Sequence, residues 1–151
     1  MLASLDALDC CVIIHSPGLS DVKSKQFESA NIKFSSQAVN IDLVRKQCDL
    51  AICHSGIGTG TAMLLAGCPV LLIPTQLEQY TVAKRIEEIG IGLIVEPEHK
   101  KVNFKRILKT LFKDSSYTQA AKKFAKKHSD FNSQRMVKEL AGQCEKQINQ
   151  T

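Results

Sequence analysis

The stretch LAICHSGIGTGTAMLLAG, residues 50–67, carries four of the chain's eight glycines between a short apolar run and a segment of helix-forming residues. LAIC at 50–53 reads as a buried strand ending at Cys53, HSGIGTG as a turn, and TAMLLAG as the start of a helix stopped by Gly67 and Pro69. The glycines therefore fall on a strand-to-helix corner. Loop N–H groups and the positive end of a helix dipole converge at such a corner, and glycine removes the Cβ atoms that would hold an anion away. Glycine also serves tight turns and close helix–sheet packing, and spacing alone does not separate these uses. Thr59 or Thr61 is available to cap the helix. His54 opens the loop, where its imidazole N–H would donate to a phosphate oxygen or, with equal weight, to loop backbone. The spacing matches neither the dinucleotide fingerprint nor a P-loop, which would place a Lys after the glycines.

Further apolar runs lie on either side: CCVIIH at 10–15, IKF at 32–34, VLLI at 70–73 and GLIV at 92–95. Between and after the runs, helix-like segments fall at 41–47, 61–66, 79–89, 104–112, 118–127 and 134–148. Alternating strands and helices predict an α/β domain with a parallel sheet, right-handed crossovers and ligands at the carboxyl ends of the strands. Beyond Pro97 the pattern is helical. Phe104, Ile107, Leu108 and Leu111 share one face, and Met136, Val137, Leu140 and Cys144 share another. Both faces are expected to pack on the sheet.

The bulk numbers fit one domain over residues 1–151, with 44% hydrophobic and 23% charged residues, ordinary values that exclude general disorder. No apolar run approaches the roughly 20 residues of a bilayer span, and MLASLDALDCC has no basic start followed by an apolar stretch. A cytoplasmic location is expected. The six cysteines are irregularly spaced and read as reduced thiols. Cys48, Cys53 and His54 come nearest to a metal cluster but lack a second short-spaced pair, so no metal site is expected.

The net charge of +5 is uneven, because residues 100–127 hold ten of the twenty Lys and Arg with Asp114 as the only acid. Solvated helix faces account for this most simply, and an anionic membrane surface is the sharper alternative. Nucleic acid is not expected, since Phe104, Phe112, Tyr117 and Phe124 have the helical spacing of core contacts.

The segment HSGIGTGTAMLLAGCPVLLIPTQLEQYTVAKRIEEIGIGLIV, from His54 to Val95, resembles the donor-binding segment of GT-B glycosyltransferases that use nucleotide sugars. The nearest groups are the UDP-glucuronosyl- and UDP-glucosyltransferases and the bacterial macrolide glycosyltransferases. His54, Gly56, Gly58, Thr59, Gly67, Pro69, Pro74 and the pair Glu78–Gln79 carry the likeness, with no gap in the spacing. More weakly, FSSQAVNIDLVRKQCDLAICH from Phe34 resembles the stretch ahead of that loop, and residues 115–140 resemble the closing helices.

This resemblance implies a Rossmann-like parallel sheet with flanking helices, one half of a GT-B architecture, in which MLASLDALD is the first helix and the strand before it is lacking. It implies a UDP-sugar or dTDP-sugar donor and no cofactor. The diphosphate would be held by His54, Ser55, Gly56, Ile57, Gly58 and Thr59, the base by Phe34 and Gln37, and the sugar hydroxyls by Glu78 and Gln79. No catalytic residue is assigned, for His15, His99 and His128 lie in no matching motif. An acceptor domain, in cis or in trans, would bring the base, and the isolated chain is expected to be inactive. No Asp-x-Asp pair occurs, so a metal-independent transfer of a hexose to an acceptor hydroxyl is expected.

Three positions depart from the family pattern. Ala62 stands where plant-type members hold the ribose with Glu, which leaves a dTDP-sugar open as donor. Glu78 stands where Asp is usual, and Ser36 where Pro is usual. An acid in the first turn of a helix would also favour the dipole by ~0.3–1 kcal/mol. The alternative reading is a non-catalytic nucleotide-binding subunit or remnant acting through a partner.

Overall fold

The computed structural model describes residues 1–6, 8–96 and 102–148; Pro97, His99, Lys100 and Lys101, which the sequence reading touched, lie outside them. After a short helix α1 (Leu2–Asp6), strands and helices alternate: β1 (Val12–Ile14), α2 (Asp21–Phe27), β2 (Ile32–Phe34), α3 (Ile41–Val44), β3 (Ala51–Cys53), α4 (Ile57–Leu65), β4 (Val70–Leu72), α5 (Leu77–Glu88) and β5 (Gly92–Ile94). Three helices close the chain: α6 (Phe104–Lys113), α7 (Ser115–Lys127) and α8 (Ser133–Ile148). All five expected strands form, and every strand pair is parallel.

Among the described residues the strands make two sheets, β1–β2 and β3–β4–β5. Val12 N–H donates to the Asn31 carbonyl at 2.7 Å and Ser35 N–H to the Ile14 carbonyl at 2.8 Å. In a parallel ladder this alternation turns the amide and carbonyl of Ile13 away from β2. Ala51 N–H donates to Pro69 and Ile73 N–H to Cys53, which likewise turns the backbone of Ile52 away from β4. Among the described residues β1 and β3 thus each present an open edge.

Burial on both faces explains why VLLI reads as continuously apolar. Val70 and Leu72 face a cluster with Met63 and Leu64 of α4, Ala83 and Ile86 of α5, and Ala121 of α7. Leu71 faces the other way, with Ile32, Val95, Leu5 and the Leu108 and Leu111 stripe of α6. That second cluster also touches Val12, Ile14, Phe34 and Ile52, so the two sheets share one covered face. Gly92 belongs to this packing: a Cβ there would run into the Val70 carbonyl oxygen.

Two helices depart from what the residue pattern predicts. The α8 stripe of Met136, Val137, Leu140 and Cys144 covers nothing, and no residue of α8 is buried. Helix α2 carried no periodic signal, because its apolar Val22 and Phe27 both remain exposed and its start rests on the Ser20 cap. Of the four aromatics in the basic stretch, Phe104, Tyr117 and Phe124 pack on the clusters while Phe112 is exposed.

Asp114 ends α6 and caps α7, accepting from Ser116 N–H at 2.9 Å. Hydrogen bonds from Ser116 hold its carboxyl below the usual carboxylate range. A depressed pKa means that this stabilisation is present above the unfolded pKa and fades as pH falls through the folded one. Asp114→Asn keeps a capping oxygen without the titration. Any melting-temperature advantage of the native chain over Asp114→Asn at neutral pH is therefore expected to shrink on acidification, and a constant difference would contradict the assignment.

Candidate functional site

The corner after β3 is built differently from a glycine turn. His54 is exposed, while Ser55 is only 2% exposed and is the one non-glycine residue at positive φ among the described residues, at 63°. Its hydroxyl has no hydrogen-bond partner. A left-handed serine costs about 1–3 kcal/mol, and an unpaired buried polar group a similar amount.

Helix α4 begins at Ile57, four residues before the start expected from the threonines, so Gly58, Thr59 and Gly60 are helical. Gly56 is the N-cap and provides no side-chain hydrogen bond; neither Thr59 nor Thr61 caps the helix. Gly60 N–H makes the return bond to the Gly56 carbonyl at 3.1 Å. The amides of Gly56, Ile57, Gly58 and Thr59 therefore have no intrahelical acceptor and gather at the positive end of the dipole. A Cβ at Gly56, Gly58 or Gly60 would meet nothing within 4 Å. Close packing, the competing use of glycine, is thus not the reason for these three. Nearby, burial pushes the Cys53 thiol up, against a hydrogen bond from the Ser55 backbone, which keeps it neutral beside an electropositive corner.

After β4 the chain turns through Pro74 into α5, whose first turn bears Glu78 and Gln79. Glu78 is exposed. Gln79 Oε1 accepts from Thr75 N–H at 2.9 Å and from Thr75 Oγ1 at 3.1 Å, so its oxygen closes the turn and its amide N–H pair is what remains to offer a ligand. Lys84 and Tyr80 fasten the helix to Glu96 beyond β5, at 3.0 and 3.2 Å. Glu87 accepts from Ile94 N–H at 3.2 Å. These partly exposed contacts orient α5 more than they stabilise it.

Phe34 ends β2, half-buried against the second cluster. With Ile13, Lys33, Ser35, Ser36 and Gln37 it lines an open depression of about 470 Å³, so the two base-contact candidates come together. None of the residues 54–59 or 78–79 lines it. All three groups nonetheless follow the carboxyl ends of parallel strands, β2, β3 and β4. His15, at the end of β1, lies on the same rim with Nδ1 3.2 Å from the Ser35 carbonyl; only topology reveals its place. A larger depression of about 570 Å³ lies away from this rim, along α6. No grouping of three or more potential metal ligands occurs among the described residues.

The family described as "Erythromycin biosynthesis protein CIII-like, C-terminal domain" matches residues 1–146. The chain belongs to that family. Among relatives, it is 36% identical over 99 residues to a sterol 3-beta-glucosyltransferase of Leptosphaeria maculans, which covers 62% of this chain and 6% of that protein. It is 29% identical over 83 residues to the NDP-glycosyltransferase YjiC of Bacillus subtilis (strain 168), covering 55% of this chain and 21% of the relative. The structure of glycosyltransferase VinC, determined in complex with dTDP, superposes with a TM-score of 0.79 at 23% identity over 96% of this chain and 37% of VinC. The fold is that of a GT-B glycosyltransferase half, and the chain is a homologue of glycosyltransferase carboxyl-terminal domains. It spans well under half of each of these proteins.

Proposed function

We propose that the chain is the donor-binding half of a metal-independent glycosyltransferase that moves a hexose from a UDP- or dTDP-sugar to an acceptor hydroxyl. One observation carries this reading: the strained, buried Ser55 with an unpaired hydroxyl beside the free amides of Gly56 to Thr59. In this reading the diphosphate lies over that corner with His54 donating to it, the base stacks on Phe34 beside Gln37, and Glu78 and Gln79 meet the sugar hydroxyls. As the bond to the leaving nucleotide breaks, negative charge grows on the diphosphate. Fixed N–H donors and the dipole of α4 then stabilise the transition state more than the ground state. No Asp-x-Asp pair is present to recruit a metal for that task. Calorimetric titration of UDP and dTDP tests the reading; saturable binding of either supports it, and heat from neither would remove it.

Activation of the acceptor is assigned to a second domain, in cis or in trans. Ile57 and Leu77, 63% and 82% exposed at the starts of α4 and α5, are apolar side chains on the rim that such a domain would cover. The purified chain is expected to release no glycosylated product on its own, and donor-dependent glycosylation by the chain alone would show this division to be wrong.

The basic stretch supports an anionic membrane surface as a further partner. Lys105, Arg106, Lys109 and Lys113 line the depression along α6, and none of them has an ion-pair partner among the described residues. Co-sedimentation with phosphatidylserine vesicles is expected at low salt and is lost at high salt, whereas phosphatidylcholine vesicles leave the chain in solution. Equal recovery on both lipids would point to plain solvated faces. No helix among the described residues is long and apolar enough to cross a membrane, and a cytoplasmic location belongs to the same proposal.

A further inference from the structure

Two thiols outside the candidate site meet at the opposite end of the sheet. Cys48 precedes β3 and Cys68 precedes β4, and the pairing of Ala51 with Val70 brings both cysteines to the same end of neighbouring strands. Both are free, and their thiols lie close enough to perturb each other's ionisation. Cys68 is 2% exposed within the first core cluster, and Cys48 is half-buried against it. Each neutral thiol also has a backbone acceptor: Cys48 Sγ donates to the Leu50 carbonyl at 3.0 Å and Cys68 Sγ to the Pro69 carbonyl at 3.5 Å.

We propose that Cys48 and Cys68 form a thiol–disulfide exchange site in which Cys48 attacks a low-molecular-weight disulfide such as oxidised glutathione and Cys68 resolves the adduct. In the first step the Cys48 thiolate bonds to one glutathione sulfur, and the other leaves as a thiolate that takes up a proton. In the second, Cys68 loses its proton and attacks Cys48 Sγ, expelling the second glutathione. The two protein thiols are oxidised by two electrons, and one glutathione disulfide is reduced to two thiols. Burial sets the order, because an external disulfide reaches Cys48 while Cys68 reaches only its neighbour. The neighbouring Cys68 thiol brings Cys48 down to about 7, and proximity to Cys48 together with burial holds Cys68 protonated until the adduct forms. The closed ring spans residues 48 to 68 and so contains β3, the His54–Thr59 corner and α4.

The test is to equilibrate the full chain in glutathione redox buffers, trap free thiols with N-ethylmaleimide and map disulfides by peptide mass spectrometry. The Cys48–Cys68 cross-link is expected as the principal disulfide, formed while Cys144 is still trapped as a thiol and reversed by dithiothreitol. Cys68→Ala is expected to accumulate a glutathione adduct on Cys48, and Cys48→Ala to leave Cys68 unmodified. Recovery of Cys48 and Cys68 as trapped thiols while Cys10, Cys11 or Cys144 is oxidised would overturn the proposal. So would a Cys68→Ala chain with no adduct on Cys48. Should either variant fail to fold, the map of the unaltered chain decides by itself.

Discussion

Gly58→Val is expected to abolish nucleoside diphosphate binding while the chain stays folded. Gly58 is the second residue of α4 at ordinary helical φ, and a Cβ there would meet no protein atom within 4 Å. The substitution therefore clashes with nothing in the protein, and valine is a few tenths of a kcal/mol better than glycine in a helix. What it fills is open space beside the amides on which the proposed diphosphate would lie. Hydrogen bonds to a charged group are worth about 1.5–3 kcal/mol each, so displacing a diphosphate from two of them lowers affinity about 100-fold or more. Calorimetry with UDP and dTDP, beside a thermal melt, reads both halves of the expectation. Unchanged affinity in a folded variant would falsify the placement of the diphosphate.

Much of this corner was legible in the residues, but for partly different reasons than the spacing suggested. The glycines pointed to an anion site, yet spacing could not separate that use from packing. Coordinates exclude close packing at Gly56 and Gly58, which face open space, while Gly92 is pressed against Val70. The start of α4 was misplaced because Gly58 and Gly60 are poor helix formers, and burial of Gly60, Met63 and Leu64 overrides that weak preference. Ser55 was legible only as a motif position. Its left-handed backbone has no sequence signal, since serine rarely takes that conformation and nothing in the pattern marks it. The α8 stripe misled in the opposite direction: periodicity reports an apolar face, not the presence of something to cover it.

Gln79 shows most plainly how the structure changes an experiment. Truncating it to alanine would remove the oxygen that accepts twice from Thr75, so a loss of sugar affinity would be confounded with a loosened turn. Gln79→Glu avoids this: the carboxylate retains the acceptor for Thr75, and an acid in the first turn of α5 favours the helix dipole. The amide N–H donors disappear and a carboxylate charge takes their place. If those donors read a sugar hydroxyl, Gln79→Glu weakens nucleotide-sugar binding by about 1–3 kcal/mol, the scale of leaving a polar partner unpaired. Affinity for bare UDP or dTDP hardly changes, because the diphosphate corner after β3 is untouched. Glu78 is exposed and is the acid of that first turn, so Glu78→Ala is the matching test, with a similar loss expected for the sugar-bearing ligand alone. If Glu78 merely steadies the helix, its removal lowers the melting temperature and treats both ligands alike. Equal losses for sugar-bearing and bare nucleotide would take both residues out of the sugar site, leaving the Ser55 corner as the functional assignment that stands.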